Sequence, residues 1–267
     1  MARRWGQNLV VDGSWYTKDD ALALLVYYAF AGTTSLAATR VPGVANTNVV
    51  DSYELRVLEI LRKITTGSSV GRLLITLINA SPRTLRIVPV GLNQSKYTRA
   101  LPVACLPTAC AGGATDSLLR FEPIAWGNTP TATIDPGKHF RSDDVLLHEM
   151  FHALRQMRGL FAATPMGEAF HFVEEFYAIM VTNMYVSEVG RPESRRADHL
   201  LPFDRLYEKP TGPFVDTDVD FFIRHKAEVD AMIKQMPDFC APLGEINNPL
   251  PWNPIKKAWN HEKLYGI

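Results

Sequence analysis

An α+β fold, mainly helical with a small mixed sheet beside one central helix, is predicted for this chain by three observations. Apolar residues recur at helical spacing over 51–64, 70–79, 166–189 and 217–236. Short β-branched runs alternate with polar residues at 85–90 and within 117–126, so strands are expected among the helices instead of in a separate block. Between these groups lies a capped apolar helix carrying His148-Glu149-Met150-Phe151-His152.

The chain has 267 residues, 46% hydrophobic and 21% charged, which suits a globular protein with one large or two modest cores. We find no internal repeat and no low-complexity linker, so residues 1–267 are expected to form a single unit: a helical part over 1–80, strands with two functional helices over 81–190, and a C-terminal helix with an irregular tail over 191–267. Basic and acidic residues balance at 28 each, and no lysine-arginine block is longer than a pair such as Arg195-Arg196, which argues against a nucleic-acid partner. The longest apolar run, 21–32, is too short to span a bilayer and follows Lys18-Asp19-Asp20, so a buried helix is expected there. Met1-Ala2-Arg3-Arg4-Trp5 leads into polar and glycine residues, which does not suit a cleaved leader. Of three cysteines, Cys105 and Cys110 bracket a small loop that a disulfide would close in an oxidising compartment, with free thiols as the alternative, and Cys240 is remote.

In chain order, residues 31–48 are rich in Gly, Thr, Ala and Pro and read as a loop. The helices over 51–64 and 70–79, separated by Thr65-Thr66-Gly67-Ser68-Ser69, form a helical hairpin. Ser81-Pro82 turns the chain into a strand at Leu85-Arg86-Ile87-Val88-Pro89-Val90. A second strand is expected over 117–126, where Pro123 argues for an edge position or a bulge, and a third over 131–134. As an edge beside the central helix, 118–126 is assigned the task of pairing with an extended peptide, an ordinary core strand being the alternative. A long helix over 166–189 ends at Gly190, another runs over 217–236, and the proline-rich segment from Pro242 is expected to be irregular.

His148 and His152 are four residues apart, so their imidazoles leave one side of a helix about 40° apart in azimuth, as two ligands of one Zn²⁺ require. Glu149 points to another sector, where it would hold and deprotonate a metal-bound water. With 7 His and 13 Glu in the chain, HExxH arises by accident about once in 100 such sequences, so its context matters. Ser142 reads as a cap, Asp143 and Asp144 as acidic first-turn residues, and Gly159 as the stop, around an interior too apolar to bury a His-Glu-His cluster unpaired. Core histidines satisfied by hydrogen bonds are the alternative.

A catalytic zinc takes three protein ligands, and the next helix offers Glu168, His171, Glu174, Glu175 and Glu188. On one continuous helix over 166–189, Glu168, His171 and Thr182 fall within about 40° of Glu175 and form an inward polar stripe. Glu175 is therefore the expected third ligand, with Glu174 as runner-up and His171 as a ligand-supporting or substrate-contacting residue or a core histidine.

HEMFHALR followed by EEFYA resembles the gluzincin zinc metallopeptidases, and the order of hairpin, strand, HExxH helix and glutamate helix resembles metallopeptidase effectors of bacterial secretion systems over roughly 51–199. These include type III effector peptidases and C-terminal extensions of type VI secretion spike proteins. The resemblance implies a zincin-like fold, Zn²⁺ on His148, His152 and Glu175, and Glu149 as general base. It also implies a Tyr, His or Arg stabilising the transition state; of Tyr177, Tyr185, Arg196 and His199, we carry Tyr185 and His199 forward. The implied protein is a secreted endopeptidase effector or toxin delivered into a target cell, acting on a protein or peptide and fused or not to a secretion spike. A target-binding module with a structural or vestigial zinc site is the alternative. A deformylase-like hydrolase would need a cysteine ligand before the motif, for which Cys105 and Cys110 are poorly placed.

Overall fold

The computed structural model describes residues 2–15, 47–90, 98–103, 112–126, 141–191, 223–246 and 252–265. Its elements are β1 (Arg3–Arg4), β2 (Leu9–Val11), α1 (Thr47–Gly67), α2 (Ser69–Ala80), β3 (Leu85–Val88), β4 (Arg99–Pro102), β5 (Ser117–Arg120), α3 (Ser142–Met157), α4 (Gly167–Phe170), α5 (Val173–Glu188), α6 (Lys226–Gln235), α7 (Pro237–Glu245) and α8 (Pro254–Tyr265). The architecture is α+β, with five strands in the order β1-β2-β3-β5-β4. β2, β3 and β5 run parallel, and β1 and β4 flank them antiparallel.

The hairpin of α1 and α2 forms as the apolar spacing predicts. Tyr53, Val57, Leu61 and Ile64 of α1 and Val70, Leu74, Ile75 and Ile78 of α2 are buried in one core with Leu9, Leu85, Ile87 and Leu119 of the sheet. Ser68 caps α2 by accepting from Gly71 N–H at 3.0 Å. Glu188, at the far end of α5, adds a carboxylate to the same helix start, accepting from Ser69 N–H at 2.7 Å and Val70 N–H at 3.2 Å. Glu188 is thereby a cap joining two helices and not a ligand.

Helices α3 and α5 pack antiparallel, and each ends as its glycine predicts. Gly159 (φ 67°) and Gly190 (φ 75°) take the left-handed conformation just past the helix ends. Leu160 N–H then reaches Arg155 C=O at 2.8 Å, and Arg191 N–H reaches Val186 C=O at 2.8 Å, in paired Schellman closures. At Gly159 a side chain is excluded twice over, because a Cβ would lie 2.3 Å from Gly112 O. The start of α3 differs by one residue from the expected cap: Ser142 is already helical and donates to Trp126 C=O at 3.1 Å, while Asp144 accepts from Arg141 N–H at 3.3 Å.

Four expectations are corrected. The strand over 117–126 stops at Arg120; Pro123 begins a one-turn 3-10 helix instead of bulging an edge, and β5 lies between β3 and β4, so it offers no free edge to a peptide. The helix over 166–189 is broken at His171. Among the described residues the tail from Pro242 is largely helical: 242–245 complete α7 with Pro242 inside it, and α8 begins at Pro254, a first helical position where a missing N–H costs nothing. Strands β1, β2 and β4, too short to carry a legible alternation, were not anticipated. The expected helix over 21–32, the strand over 131–134, the Cys105 to Cys110 loop and residues 217–222 lie outside the described residues; Cys240 is buried. Among the described residues no helix is long and apolar enough to cross a membrane.

Asp143, at the start of α3, gathers three elements. Its carboxylate accepts from Tyr185 O–H at 2.7 Å and from Arg191 at 2.6 Å, and pairs with Lys63 of α1 at 3.0 Å. Burial opposes ionisation of Asp143, but the Tyr185 hydrogen bond and the Arg191 and Lys63 charges together hold its pKa below the ordinary value. A depressed folded-state pKa contributes stability above the unfolded value of 3.8 and loses it as pH falls through the folded value. Asp143→Asn is expected to lose about 3 kcal/mol at pH 7. Urea unfolding at pH 7 and again at about pH 3 should show that deficit shrinking in acid.

Candidate metal centre

Nearly two turns into α3 the chain presents His148, and one turn later His152, toward α5, both almost completely buried. Each imidazole is held through Nδ1. Glu174 Oε1 lies 3.3 Å from His152 Nδ1. Thr182 Oγ1 lies 3.5 Å from His148 Nδ1, and because the Thr182 hydroxyl donates its own proton to Ala178 C=O at 2.8 Å, it faces His148 as an acceptor. Both histidines are therefore assigned the Nδ1–H tautomer, leaving the Nε2 lone pairs for a ligand.

Those Nε2 atoms converge. They lie 3.1 Å apart, and Glu175 Oε2 sits 3.2 Å from His148 Nε2 and 3.4 Å from His152 Nε2. Three donors held at about 2.0–2.1 Å from one tetrahedral Zn²⁺ stand about 3.3–3.4 Å from one another, so the spacing fits that ion closely. Two imidazoles and a carboxylate are also a donor set of the catalytic zinc type. The three form the one such group found among the described residues.

The local charge favours a cation at this point. Burial lowers the pKa of His152, yet Glu175, Glu174 and Glu149 together outweigh it and raise the pKa well above the ordinary imidazole value. Glu175 likewise resists ionisation through burial, but His152 and His148 hold its carboxyl far below the usual carboxylate range. With Nδ1 of His152 engaged by Glu174, the added proton sits on Nε2, 3.1 Å from His148 Nε2, where the surrounding carboxylates stabilise a positive charge that a metal ion would replace.

Behind His152, Glu174 is fixed in turn. Its Oε2 accepts from Arg155 Nε at 2.8 Å and from Ala162 N–H at 3.1 Å. Arg155 is fully buried; it also donates to Leu160 C=O at 2.5 Å and Gln235 Oε1 at 3.2 Å, and its guanidinium lies 4.6 Å from the centre of the Tyr177 ring. The choice between adjacent glutamates is thus made by their partners: Glu175 joins the histidines, and Glu174 orients one of them.

Glu175 reaches the site through a strained turn. His171 has φ 60° and ψ −54°, and Phe172 N–H bonds to Phe170 C=O at 2.6 Å, a γ-turn of the positive-φ form that costs about 1–3 kcal/mol. It ends α4 and starts α5 on a new course, with Val173 N–H on Thr164 C=O at 2.9 Å. The polar stripe predicted from one continuous helix is corrected accordingly. Only Thr182 shares α5 with Glu175, and His171 is an exposed turn residue.

Glu149 follows His148 and turns toward the sheet, where its Oε2 accepts from Ala100 N–H of β4 at 2.8 Å. Tyr185 is brought elsewhere: ten residues, about 15 Å of helix, past Glu175, it is buried with its hydroxyl on Asp143. Burial and Asp143 push its pKa far up, so it serves the helix junction as a neutral donor. Tyr177 packs beneath Arg155, and burial pushes its pKa up to about 12. His199 and Arg196 lie outside the described residues. Sequence reasoning missed Arg155, Gln156 and Ala100. An arginine three residues past His152 in an apolar helix was a usable signal, whereas Ala100 acts through its backbone and left none.

No protein-family model and no curated protein matches the sequence. Among solved structures the chain is similar to the light chain of botulinum neurotoxin type D, at 15% identity and a TM-score of 0.41, over 99% of this chain and 69% of that one.

Proposed function

We propose that the protein is a zinc-dependent endopeptidase. The observation that carries this reading is the convergence of His148 Nε2, His152 Nε2 and Glu175 Oε2 at tetrahedral spacing, with Glu149 adjacent on the same helix. His148, His152 and Glu175 would hold the ion. Zinc at that point supplies Lewis-acid chemistry, polarising a peptide carbonyl and acidifying water.

The remaining work belongs to the chain. Glu149 takes a proton from the attacking water and returns it to the nitrogen of the leaving amine, so one carboxylate serves both halves of the reaction. Ala100 N–H orients that carboxylate. Glu174 and Thr182 keep both imidazoles in the metal-binding tautomer, and the Arg155 ion pair fixes Glu174. The order of helical hairpin, strand, HExxH helix and glutamate helix, which resembles metallopeptidase effectors of bacterial secretion systems, supports a secreted effector or toxin that acts on a protein or peptide in a target cell, free-standing or fused to a secretion spike.

Glu149→Ala is expected to bind one zinc per chain and melt within a few degrees of wild type while peptide hydrolysis drops by about 10²–10⁴-fold. Metal content by mass spectrometry and turnover on a fluorogenic peptide library check both halves, and retained hydrolysis in the metal-loaded variant removes Glu149 from the role. Zinc should raise the melting temperature of wild type and leave that of Glu175→Ala unmoved, as read by differential scanning fluorimetry with and without the ion. Glu174→Gln, which keeps an acceptor but removes the charge, is expected to weaken zinc about 10–100-fold in competition with a chromogenic chelator.

A further inference from the structure

In an antiparallel pair, alternate residues bond to the partner strand and the ones between direct N–H and C=O away from it. Val103 N–H donates to Asp116 C=O at 2.8 Å, and the register pairs Leu101 with Leu118 and Ala100 with Leu119. The hydrogen-bonded positions of β4 are therefore Arg99 and Leu101, and the outward positions are Ala100 and Pro102. Pro102 has no N–H, so Ala100 supplies the one outward donor of β4.

That donor is spent on α3. Ala100 N–H bonds to Glu149 Oε2 at 2.8 Å, and Ala100 C=O accepts from Gln156 Nε2 at 3.2 Å. Gln156 is itself held, its Oε1 accepting from Ser117 Oγ of β5 at 2.8 Å, and it is fully buried. A strand whose outward donors are missing at one position and engaged at the other is a poor template for an added strand.

We propose that β4 is a positioning strand for Glu149 and not a pairing edge for substrate. Gln156 sets Ala100 against α3, and Ala100 N–H holds Oε2 of the carboxylate. Substrate is then recognised through contacts other than backbone pairing at Ala100. The proposal takes the role of Glu149 from the function proposed above.

Two measurements test it on the full chain. The first is hydrogen exchange of individual backbone amides in wild type and Glu149→Ala, which needs no turnover. The Ala100 amide is expected to exchange at least about tenfold faster in the variant while the Leu101 amide, bonded to β5, stays protected. Equal exchange at Ala100 in both proteins overturns the proposal. The second is Ala100→Pro, which deletes the outward N–H and leaves the β4–β5 bonds in place, assayed on the fastest-cleaved peptide of a fluorogenic decapeptide library. Here kcat is expected to fall about 10–100-fold with KM within twofold. A raised KM with unchanged kcat would hand the donor to substrate and overturn the proposal. Should Ala100→Pro not fold, the exchange measurement decides alone. A wild type that hydrolyses no peptide sinks the peptidase reading and leaves the Ala100–Glu149 contact to be judged by exchange.

Discussion

Everything in the site depends on α3 and α5 lying antiparallel at a fixed offset, and that offset is set by buried charge at both ends of the contact. At one end Arg191, just past α5, meets Asp143 and Asp144 at the start of α3. At the other, Arg155 near the end of α3 meets Glu174 at the start of α5. The donors of the candidate metal centre lie between these clamps. Apolar packing alone tolerates sliding of one helix on another, but a buried ion pair loses several kcal/mol when its partner moves away. The pairs therefore serve register more than stability, and register is what three converging donor atoms require.

The same arrangement concentrates negative charge where a cation is wanted. Glu149, Glu174 and Glu175 all bear on His152, and their combined field outweighs the desolvation of a buried imidazole. The guanidinium groups of Arg155 and Arg191 are engaged in ion pairs, with Glu174 and with Asp143 and Asp144. A site so built favours positive charge in the folded state, and an ion held there would couple its binding to folding.

The sheet contributes less substance than placement. β4 is four residues long, yet it closes against α3 through two bonds at a single residue, Ala100. Those bonds tie the carboxylate next to the first histidine to a backbone that β5 and β3 hold in place. The helix carrying the candidate ligands is thus tied to the strand beside it, as a site needs if small displacements are to be resisted.

The sequence by itself determined the helical hairpin, the HExxH helix with its stop at Gly159, the stop at Gly190 and the residue types of the candidate ligand set. These are local properties, written in apolar periodicity and glycine conformation. Only the tertiary structure decided what depends on contacts between distant segments. It separated Glu175 from Glu174 by giving one the imidazoles and the other Arg155. It broke the predicted helix at His171, because the partners that stabilise a γ-turn there come from residues 162–167. It moved the edge of the sheet from β5 to β4, since two- to four-residue strands carry too little alternation to be read. It also sent Tyr185 to Asp143, because a side chain's partner is fixed by the helix packed opposite and not by its own neighbours in the chain.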